Sequence, residues 1–292
     1  MTFDVPEIDY TQYTNRQLAT VPLAVLALAL AVLVGWYVTT GAPVALGIEF
    51  TGGSQLTVQT STPQSDVSAA FDEEPTDVRA VQGTGQPTYI VTFQSTNAGG
   101  LADQAEANLE PAGGGEVVLA SQETSPTFAG DNQQQALYGL VIAFLGMSLL
   151  AFVLFRTFVP SIAIVISAFS DIVIPLAAMN LLDIKLSLGT VAALLMLIGY
   201  SVDSDILLNN HILRRTGEFY ESTHRAMRTG VTMTITSIAA MVVMALTSFL
   251  FGIDLLASIG LVLAIGLATD LMNTYMLNLS LLRWYKLGGS TT

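Results

Sequence analysis

Two carboxylates stand close together inside one of the most apolar stretches of this sequence. Asp203 and Asp205 interrupt the run LLMLIGYSVDSDILL, which begins at Leu194. A charged side chain at the centre of a lipid bilayer costs roughly 2.5–3.5 kcal/mol on insertion scales, so it normally has a partner or a function there. The chemistry open to such a carboxylate is the uptake and release of a proton or another cation. A plainer alternative is that both acids lie at a helix end, in contact with water.

Two further carboxylates, Asp171 and Asp270, also fall within apolar runs, and polar residues accompany the acids at helical spacing. Residues four positions apart lie on one face of a helix. This spacing predicts three polar rows: Ser201–Asp205–Asn209, Arg228–Thr232–Thr236 and Gly266–Asp270–Thr274–Asn278. Asp203 lies two positions from Asp205, about 200° around a helix, so the two cannot share a face. Asp203 is placed instead above Gly199, where a neighbouring helix could approach closely.

A helix bundle that buries these rows would let the acids act as an ion relay. A buried carboxylate either takes up a proton or finds a cation. Arg228 is the nearest available basic residue in sequence, because Arg214 and Arg215 are expected in the cytoplasmic headgroup zone. The predicted relay consists of Asp171, Asp203, Asp205, Arg228 and Asp270, supported by Ser201, Ser204, Asn209, Thr232, Thr236 and Thr274. For the threonines, the main alternative is a hydrogen bond back to the backbone of their own helix.

The composition is that of a membrane protein. Hydrophobic residues make up 52% of the chain and charged residues only 11%, with a mean hydropathy of +0.59. Soluble domains carry about 25% charged residues. The chain has no cysteine, which excludes disulfide frameworks, thiol nucleophiles and thiolate metal sites. His211 and His224 fit a solvated loop, and the sequence shows neither a nucleophile–base pair nor a metal-ligand cluster. We therefore expect no enzyme activity, no metal and no cofactor.

Six apolar runs are each long enough to span a bilayer, which needs about 20 residues. They lie at 18–40, 135–155, 159–181, 186–208, 229–250 and 254–280. The predicted organisation is an N-terminal segment 1–17, a first span 18–40, an external domain 41–133, a five-helix bundle 134–282 and a tail 283–292. The first run exceeds the core of a signal peptide, about 7–15 residues, and follows an acidic start, so we expect it to be retained.

Residues 41–133 are predicted to form one small soluble domain. Their strand and helix patterns follow the order βαββαβ, the split βαβ arrangement of ferredoxin-like folds. The predicted strands include 78–81, 89–93 and 116–120, and the predicted helices lie near 65–71 and 101–109. The domain holds twelve acids and one base, Arg79, which excludes nucleic-acid binding because phosphates need the opposite charge. Such acidity resembles that of proteins from high-salt environments.

The basic residues predict the orientation, because lysine and arginine accumulate on the cytoplasmic side of membrane proteins. A cytoplasmic N-terminus places eight bases inside: Arg16, Arg156, Arg214, Arg215, Arg225, Arg228, Arg283 and Lys286. Only Arg79 and Lys185 then lie outside. We therefore expect both termini in the cytoplasm and residues 41–133 outside the cell.

Three segments, at their observed separation, resemble the SecF branch of the SecD/SecF protein-export family. They are GIEFTGGS at 47–54, GYSVDSDILL at 199–208 and RTGVTMTITS at 228–237. The residues that carry the motifs are Gly47, Phe50, Thr51, Gly52, Gly53, Gly199 and Tyr200. The resemblance covers nearly the whole chain. It implies a SecD-like partner, a place beside the Sec translocation channel, unfolded exported polypeptides as clients, and drive by a proton gradient as in the related resistance–nodulation–division transporters.

The sequence departs from the bacterial pattern at the acids. Bacterial members have Asn-Asp after GYSV, whereas this chain has Asp203, Ser204 and Asp205 there. Ser170-Asp171 stands where bacterial members have His-Asp, while Arg228 is retained. The chain is thus similar to the archaeal form, and its acidity indicates a halophile. Two alternatives stay open: half of a proton-driven small-molecule exporter, and an uncoupled structural chaperone of the export channel.

Overall fold

Six long apolar helices dominate the structure, a computed structural model that describes residues 10–81, 85–214 and 219–287. Within the described residues, six helical stretches are long and apolar enough to cross a membrane: Asn15–Thr40, Pro126–Phe155, Phe158–Leu181, Leu188–Leu213, Phe219–Leu250 and Asp254–Leu287. The prediction of six spans is confirmed. Predictions for residues 1–9, Arg215 and residues 288–292 lie outside the described residues.

Short capping sequences set where the first helices begin and end. Helix α1 (Asn15–Thr40) starts at a capping box in which the Gln17 amide N–H donates to the Thr14 hydroxyl and the Thr14 N–H donates to the Gln17 side chain, at 3.2 and 2.9 Å. It ends at Gly41, whose left-handed φ of 81° suits a residue without Cβ.

The domain predicted to lie outside the cell, called the external domain below, contains a four-stranded sheet with helices on one face. Its elements are α2 (Ile48–Thr51), β1 (Gly53–Gln59), α3 (Gln64–Val67), β2 (Asp77–Val81), β3 (Thr88–Phe93), α4 (Ala98–Asn108) and β4 (Val118–Thr124). The strands pair antiparallel in the order β2-β3-β1-β4, which confirms the βαββαβ prediction. Leu56, Val58, Val91 and Phe93 point from β1 and β3 into the core under α4. Strand β4 extends four residues beyond the predicted end at Ala120, since its backbone continues to pair with β1 up to Gly53.

The paired glycines of the GIEFTGGS segment join the first span to the sheet. Gly52 and Gly53 have φ angles of 77° and 120°, which L side chains rarely adopt. A Cβ on Gly53 would also collide with the carbonyl oxygen of Phe93, and one on Gly52 would lie 3.1 Å from the Cα of Pro126. This motif therefore has a structural role: it lets β1 begin directly against its neighbours.

Five further helices complete the membrane bundle: α5 (Pro126–Phe155), α6 (Phe158–Leu181), α7 (Leu188–Arg214), α8 (Phe219–Leu250) and α9 (Asp254–Met272), the last continuing through a π-helical segment (Asn273–Asn278) into α10 (Leu279–Leu287). Helix α5 begins before the predicted domain boundary at 133–134, because Ser125 caps it and Pro126 suits its first turn. Helices α6, α7 and α9 are the most buried, while α1, α5 and α8 are largely exposed along their length. The bundle therefore has a central group of three helices.

The external domain is tied to the loop between α6 and α7. Asp77 on edge strand β2 pairs with Lys185 in that loop. Nearby, the Gly47 N–H donates to the Leu186 carbonyl at 2.8 Å, and the Leu186 N–H donates to the Ala45 carbonyl at 2.7 Å. The domain is thus connected to the two central helices that flank the loop.

Candidate functional site

Three carboxylates meet in the middle of the bundle, one from each central helix. Asp171 comes from α6, Asp205 from α7 and Asp270 from α9. Their exposed fractions are 0%, 0% and 1%. The sequence identified all three as intramembrane acids, and the structure brings them into one cluster, which we call the carboxylate cluster.

Asp171 connects α6 to the other two central elements. Its Oδ2 accepts a hydrogen bond from the Ser201 hydroxyl of α7 at 2.6 Å, and its Oδ1 accepts one from the Asn273 side-chain amide at 2.6 Å. Asp171 thus has a donor for each of its carboxylate oxygens. Ser201 belongs to the polar row predicted on α7, whereas Asn273 falls outside the predicted rows.

Asp205 and Asp270 share the hydroxyl of Thr274. Thr274 Oγ1 lies 3.0 Å from Asp205 Oδ1 and 3.3 Å from Asp270 Oδ1. Asp205 Oδ1 also accepts from the Asn278 amide at 2.7 Å, and the Ser204 hydroxyl lies 2.8–2.9 Å from both oxygens of Asp270. A hydroxyl carries one hydrogen, so Thr274 can donate to only one of the two acids at a time.

A π-helical segment in the sixth span places its polar side chains beside the buried acids. Asn273, Thr274 and Asn278 are all fully buried within the widened stretch Asn273–Asn278, and each contacts Asp171 or Asp205. Segments of π-helix are rare and occur frequently at functional sites. The row predicted from four-residue spacing found Thr274 and Asn278 but missed Asn273, which lies three residues after Asp270 and so falls outside that spacing.

Arg228, which was predicted to neutralise the buried acids, does not pair with them. Arg228 is exposed on α8, and among the described residues no basic side chain pairs with any member of the carboxylate cluster. Thr232 and Thr236 are exposed too, and their hydroxyls donate to the carbonyls one turn back, both at 2.7 Å. The expectation that the row Arg228–Thr232–Thr236 faces the interior of this chain's bundle is therefore wrong; the alternative of bonding within the helix describes these threonines.

Asp203 is also separated from the cluster. It is exposed and lines an open groove between α5 and α7 together with Gly199, Tyr200, Met147 and Met196. A Cβ on Gly199 would meet no atom within 4 Å, so no helix among the described residues packs against it. Asp203 and Asp205 thus lie on different faces of α7, as their spacing predicts.

The absence of an opposite charge among the described residues determines which ionisation states the carboxylate cluster can adopt. Among the described residues, the three buried carboxylates have only neutral hydrogen-bond donors around them: two serines, one threonine and two asparagines. Burial without an opposite charge strongly disfavours the ionised form. Burial therefore favours protonated acids or a bound cation over three ionised carboxylates.

Comparison with known proteins assigns the chain to a family. The family model described as protein export membrane protein SecD/SecF, C-terminal, matches residues 105–288, and the SecD/SecF GG motif model matches residues 37–64. The chain belongs to the SecD/SecF family. Within it, the protein-export membrane protein SecF of Haloferax volcanii is 64% identical over 289 residues, covering 99% of each chain. SecF of Haloquadratum walsbyi is 59% identical over 288 residues, covering 98% of each.

A solved structure shares the fold of this SecD/SecF family member. The crystal structure of SecDF, a translocon-associated membrane protein from Thermus thermophilus, superposes with a TM-score of 0.74 at 19% identity. The match covers 98% of this chain and 40% of the SecDF chain. This chain therefore spans less than half the length of that protein. The relatives from Haloferax and Haloquadratum agree with the archaeal, halophilic assignment expected from the acidity of the external domain.

Proposed function

We propose that this chain is an auxiliary subunit of the Sec protein-export machinery that acts with a SecD partner in the cell membrane. The family assignment, near full-length similarity to SecF proteins and six apolar helices support this role. The chain matches two-fifths of the SecDF chain, so a partner supplying a comparable set of helices is expected. The role is one of translocation, with no chemical reaction catalysed by the chain.

The exposed charges on α7 and α8 support the partnership. Asp203 and Arg228 both lie exposed on helices that are long and apolar enough to span a membrane. A lipid-facing charge is costly, whereas a polar face turned toward another helix bundle is not. We infer that the SecD partner covers the groove at Asp203 and Gly199 and the face of α8 that carries Arg228. Arg228 would then serve the relay across the subunit interface, rather than within this chain.

The single observation that carries the coupling proposal is the carboxylate cluster, which holds three buried acids without a basic partner. An ion gradient can change its occupancy, and one charge moving through the membrane field supplies about 2.3 kcal/mol per 100 mV. That energy is enough to shift a two-state equilibrium by more than tenfold. A proton is the ion that the family resemblance implies.

The connection to the external domain would transmit a change in ion occupancy of the carboxylate cluster to that domain. Asp171 and Asp205 sit on α6 and α7, and the loop between these helices carries Lys185, which pairs with Asp77 of the external domain. A relative shift of α6 and α7 would therefore move the loop and the domain attached to it. We propose that the domain acts on exported polypeptides as they leave the Sec channel.

We infer an orientation in which both termini lie on the cytoplasmic side. With both termini in the cytoplasm, residues 41–133 lie outside the cell, where emerging polypeptides are found. The excess of basic residues on the side of the termini supports this orientation. The first turns of α8, which hold Arg225, and the C-terminal end of α10 then lie on the cytoplasmic side.

Depletion of the chain tests the proposed role. We expect a strain that lacks it to secrete a Sec-dependent reporter more slowly, and a tagged copy to restore secretion and copurify with a SecD-like protein from mild detergent. A small-molecule exporter would instead change resistance to toxic compounds and leave secretion unaltered. Normal secretion in the depleted strain, or a fully active chain purified without any such partner, would contradict the proposal.

A further inference from the structure

A short turn before α1 inserts an aromatic ring into the end of the bundle that holds both termini. Tyr10 lies in the 3₁₀ turn Tyr10–Gln12 and is only 7% exposed. Its hydroxyl donates to the Met227 sulfur of α8 at 3.2 Å. The N-terminal segment therefore packs inside the bundle, although it belongs to none of the membrane helices.

A buried arginine holds this segment in place. Arg283 comes from α10 and is 3% exposed. Its terminal nitrogens donate to the Tyr10 carbonyl at 2.9 Å and to the Tyr13 carbonyl at 2.7 Å, and its Nε donates to the Asn15 side chain. Burial of a guanidinium is costly unless its donors are bonded. Because these three bonds all go to residues 10–15, the buried charge fixes the N-terminal segment against α10.

Tyr10 completes an apolar layer beside the carboxylate cluster. This layer, which we call the inner layer, consists of Tyr10, Leu208, Ile212, Met227, Leu279 and Leu282. Leu208 lies three residues beyond Asp205, toward the end of α7 at Arg214. Tyr275, which packs in the same cluster of side chains, lies close enough to interact electrostatically with both Tyr10 and Asp205. The inner layer thus separates the carboxylate cluster from the end of the bundle that holds the termini.

An ion that passes between the carboxylate cluster and the cytoplasm has to cross the inner layer. A charge among apolar side chains is strongly disfavoured, and hydrophobic constrictions in membrane proteins block passage by excluding water. One member of the layer therefore has to move for an ion to pass. Five members stand on membrane-spanning helices, whereas Tyr10 stands on a three-residue turn and can move without unwinding a helix.

We propose that Tyr10 is a gate at the cytoplasmic end of the bundle, held closed by Arg283, and that its displacement opens the carboxylate cluster to the cytoplasm. The gate rests on the proposed function, because it controls an ion path that coupling to export requires. A structural anchor would stay closed at every ion gradient, whereas a gate opens during part of each transport cycle.

Cysteine reactivity tests the gate, because the chain has no cysteine of its own. Ala226 is 0% exposed and packs in the same cluster of side chains as Tyr10, so Ala226→Cys reports opening of the inner layer. Ala193 is 1% exposed and lies near the other end of α7, so Ala193→Cys reports general loosening of the bundle. A small cationic thiol reagent is applied to the purified complex with the SecD-like partner, and labelling of this chain is read by mass.

We expect slow labelling of Ala226→Cys while the native Tyr10 is present. Tyr10→Ala should speed it by about tenfold or more, because removal of a buried ring shifts a closed–open equilibrium by at least that factor. Tyr10→Phe keeps the ring and should label slowly. Tyr13→Ala is the matched control, because Tyr13 is 48% exposed in the same segment. Ala193→Cys should stay protected in all these variants.

Inverted membrane vesicles, which expose the cytoplasmic face, separate a gate from an anchor. With the native Tyr10, we expect an imposed ion gradient to raise the labelling rate of Ala226→Cys, while Tyr10→Ala labels fast with or without the gradient. Slow labelling of Tyr10→Ala, or a native segment whose labelling rate ignores the gradient, would overturn the gate. Gradient-dependent labelling of a complex whose loss leaves secretion normal would support the gate and reject the proposed function.

Discussion

The hydroxyl of Thr274 lies 3.0 Å from Asp205 Oδ1, joining the sixth span to the centre of α7. The same hydroxyl lies 3.3 Å from Asp270. Thr274 is therefore a hydrogen-bond partner that the two acids share. Its single hydrogen can be donated to whichever acid is ionised. Asp171 is connected to the same helices through Ser201 and Asn273, so a change in one carboxylate reaches all three central elements.

Replacing Thr274 with valine keeps the side-chain volume and removes the shared hydrogen. We expect Thr274→Val to destabilise the complex by about 0.6–1.7 kcal/mol, the range for hydrogen bonds between membrane helices. Thermal unfolding in detergent measures the change, with Thr232→Val as the control that should stay within about 0.5 kcal/mol of wild type. In a double-mutant cycle with Asp205→Asn, the effects should be less than additive; full additivity would show that the hydroxyl does not act through Asp205.

The contact between Asp77 and Lys185 predicts a cross-link. The chain contains no cysteine, so the Asp77→Cys, Lys185→Cys pair is free of background. We expect a short bifunctional thiol reagent to join the two positions and to slow export, because the external domain can then no longer move relative to the α6–α7 loop. Each single variant, treated alike, is the control. Unimpaired export by the fully cross-linked protein would show that this movement is not needed.

The same ion pair should contribute little to stability. The side chains of Asp77 and Lys185 are 30% and 26% exposed, and such pairs are worth about 0–1 kcal/mol. Asp77→Asn should therefore leave the unfolding temperature nearly unchanged and raise hydrogen exchange at the Gly47 and Leu186 amides, which hold the same junction. Strong destabilisation without increased exchange would contradict a contact that opens easily.

The orientation predicts opposite labelling of two exposed positions. Ser121 lies on the edge strand β4 and Glu221 in the first turn of α8, and both are exposed. In intact cells, a membrane-impermeant thiol reagent should label Ser121→Cys and leave Glu221→Cys unmodified until the cells are opened. Labelling of Glu221→Cys from outside would reverse the topology.

The groove at Asp203 predicts a charge-sensitive interface. We expect Asp203→Lys to reduce copurification of the SecD-like partner, because it reverses the charge on the proposed contact face, whereas Asp203→Asn should retain it. Arg225→Glu is the control, because Arg225 lies near the start of α8 and pairs locally with Glu221. Unchanged copurification of Asp203→Lys would place the partner on another face.

Local rules were sufficient for the spans and the external domain. The lengths of the apolar runs predicted six membrane helices. The apolar periodicity and the turn residues of 41–133 predicted the βαββαβ order. Both patterns arise because a helix or strand must bury one set of its own side chains. The separation of Asp203 from Asp205 also followed from helical geometry alone. Burial of Asp171 and Asp270 was predicted because a carboxylate that faces lipid is energetically costly.

Local sequence patterns do not predict how a helix is rotated about its axis or where its backbone departs from α-helical geometry. Whether Arg228 faces the bundle or its surroundings depends on how α8 packs, and its own sequence offers polar residues on more than one side. The contact from Asn273 depends on the π-helical segment, which no spacing rule signals. The polar row on the sixth span was nonetheless a sign that the segment after Asp270 faces the interior.

Export by complexes altered only at Asp205 tests the coupling of the carboxylate cluster most directly. The measurement is the secretion rate of a Sec-dependent reporter, with and without an ion gradient, in cells whose complex copurifies normally. We predict that Asp205→Asn secretes at a reduced rate that the gradient no longer changes, because the variant keeps the side-chain volume and loses the titratable charge. Asp205→Glu, which retains the charge, should keep part of the gradient response. Wild-type secretion and gradient response in Asp205→Asn would contradict ion coupling through the cluster and leave the uncoupled chaperone as the role of this chain.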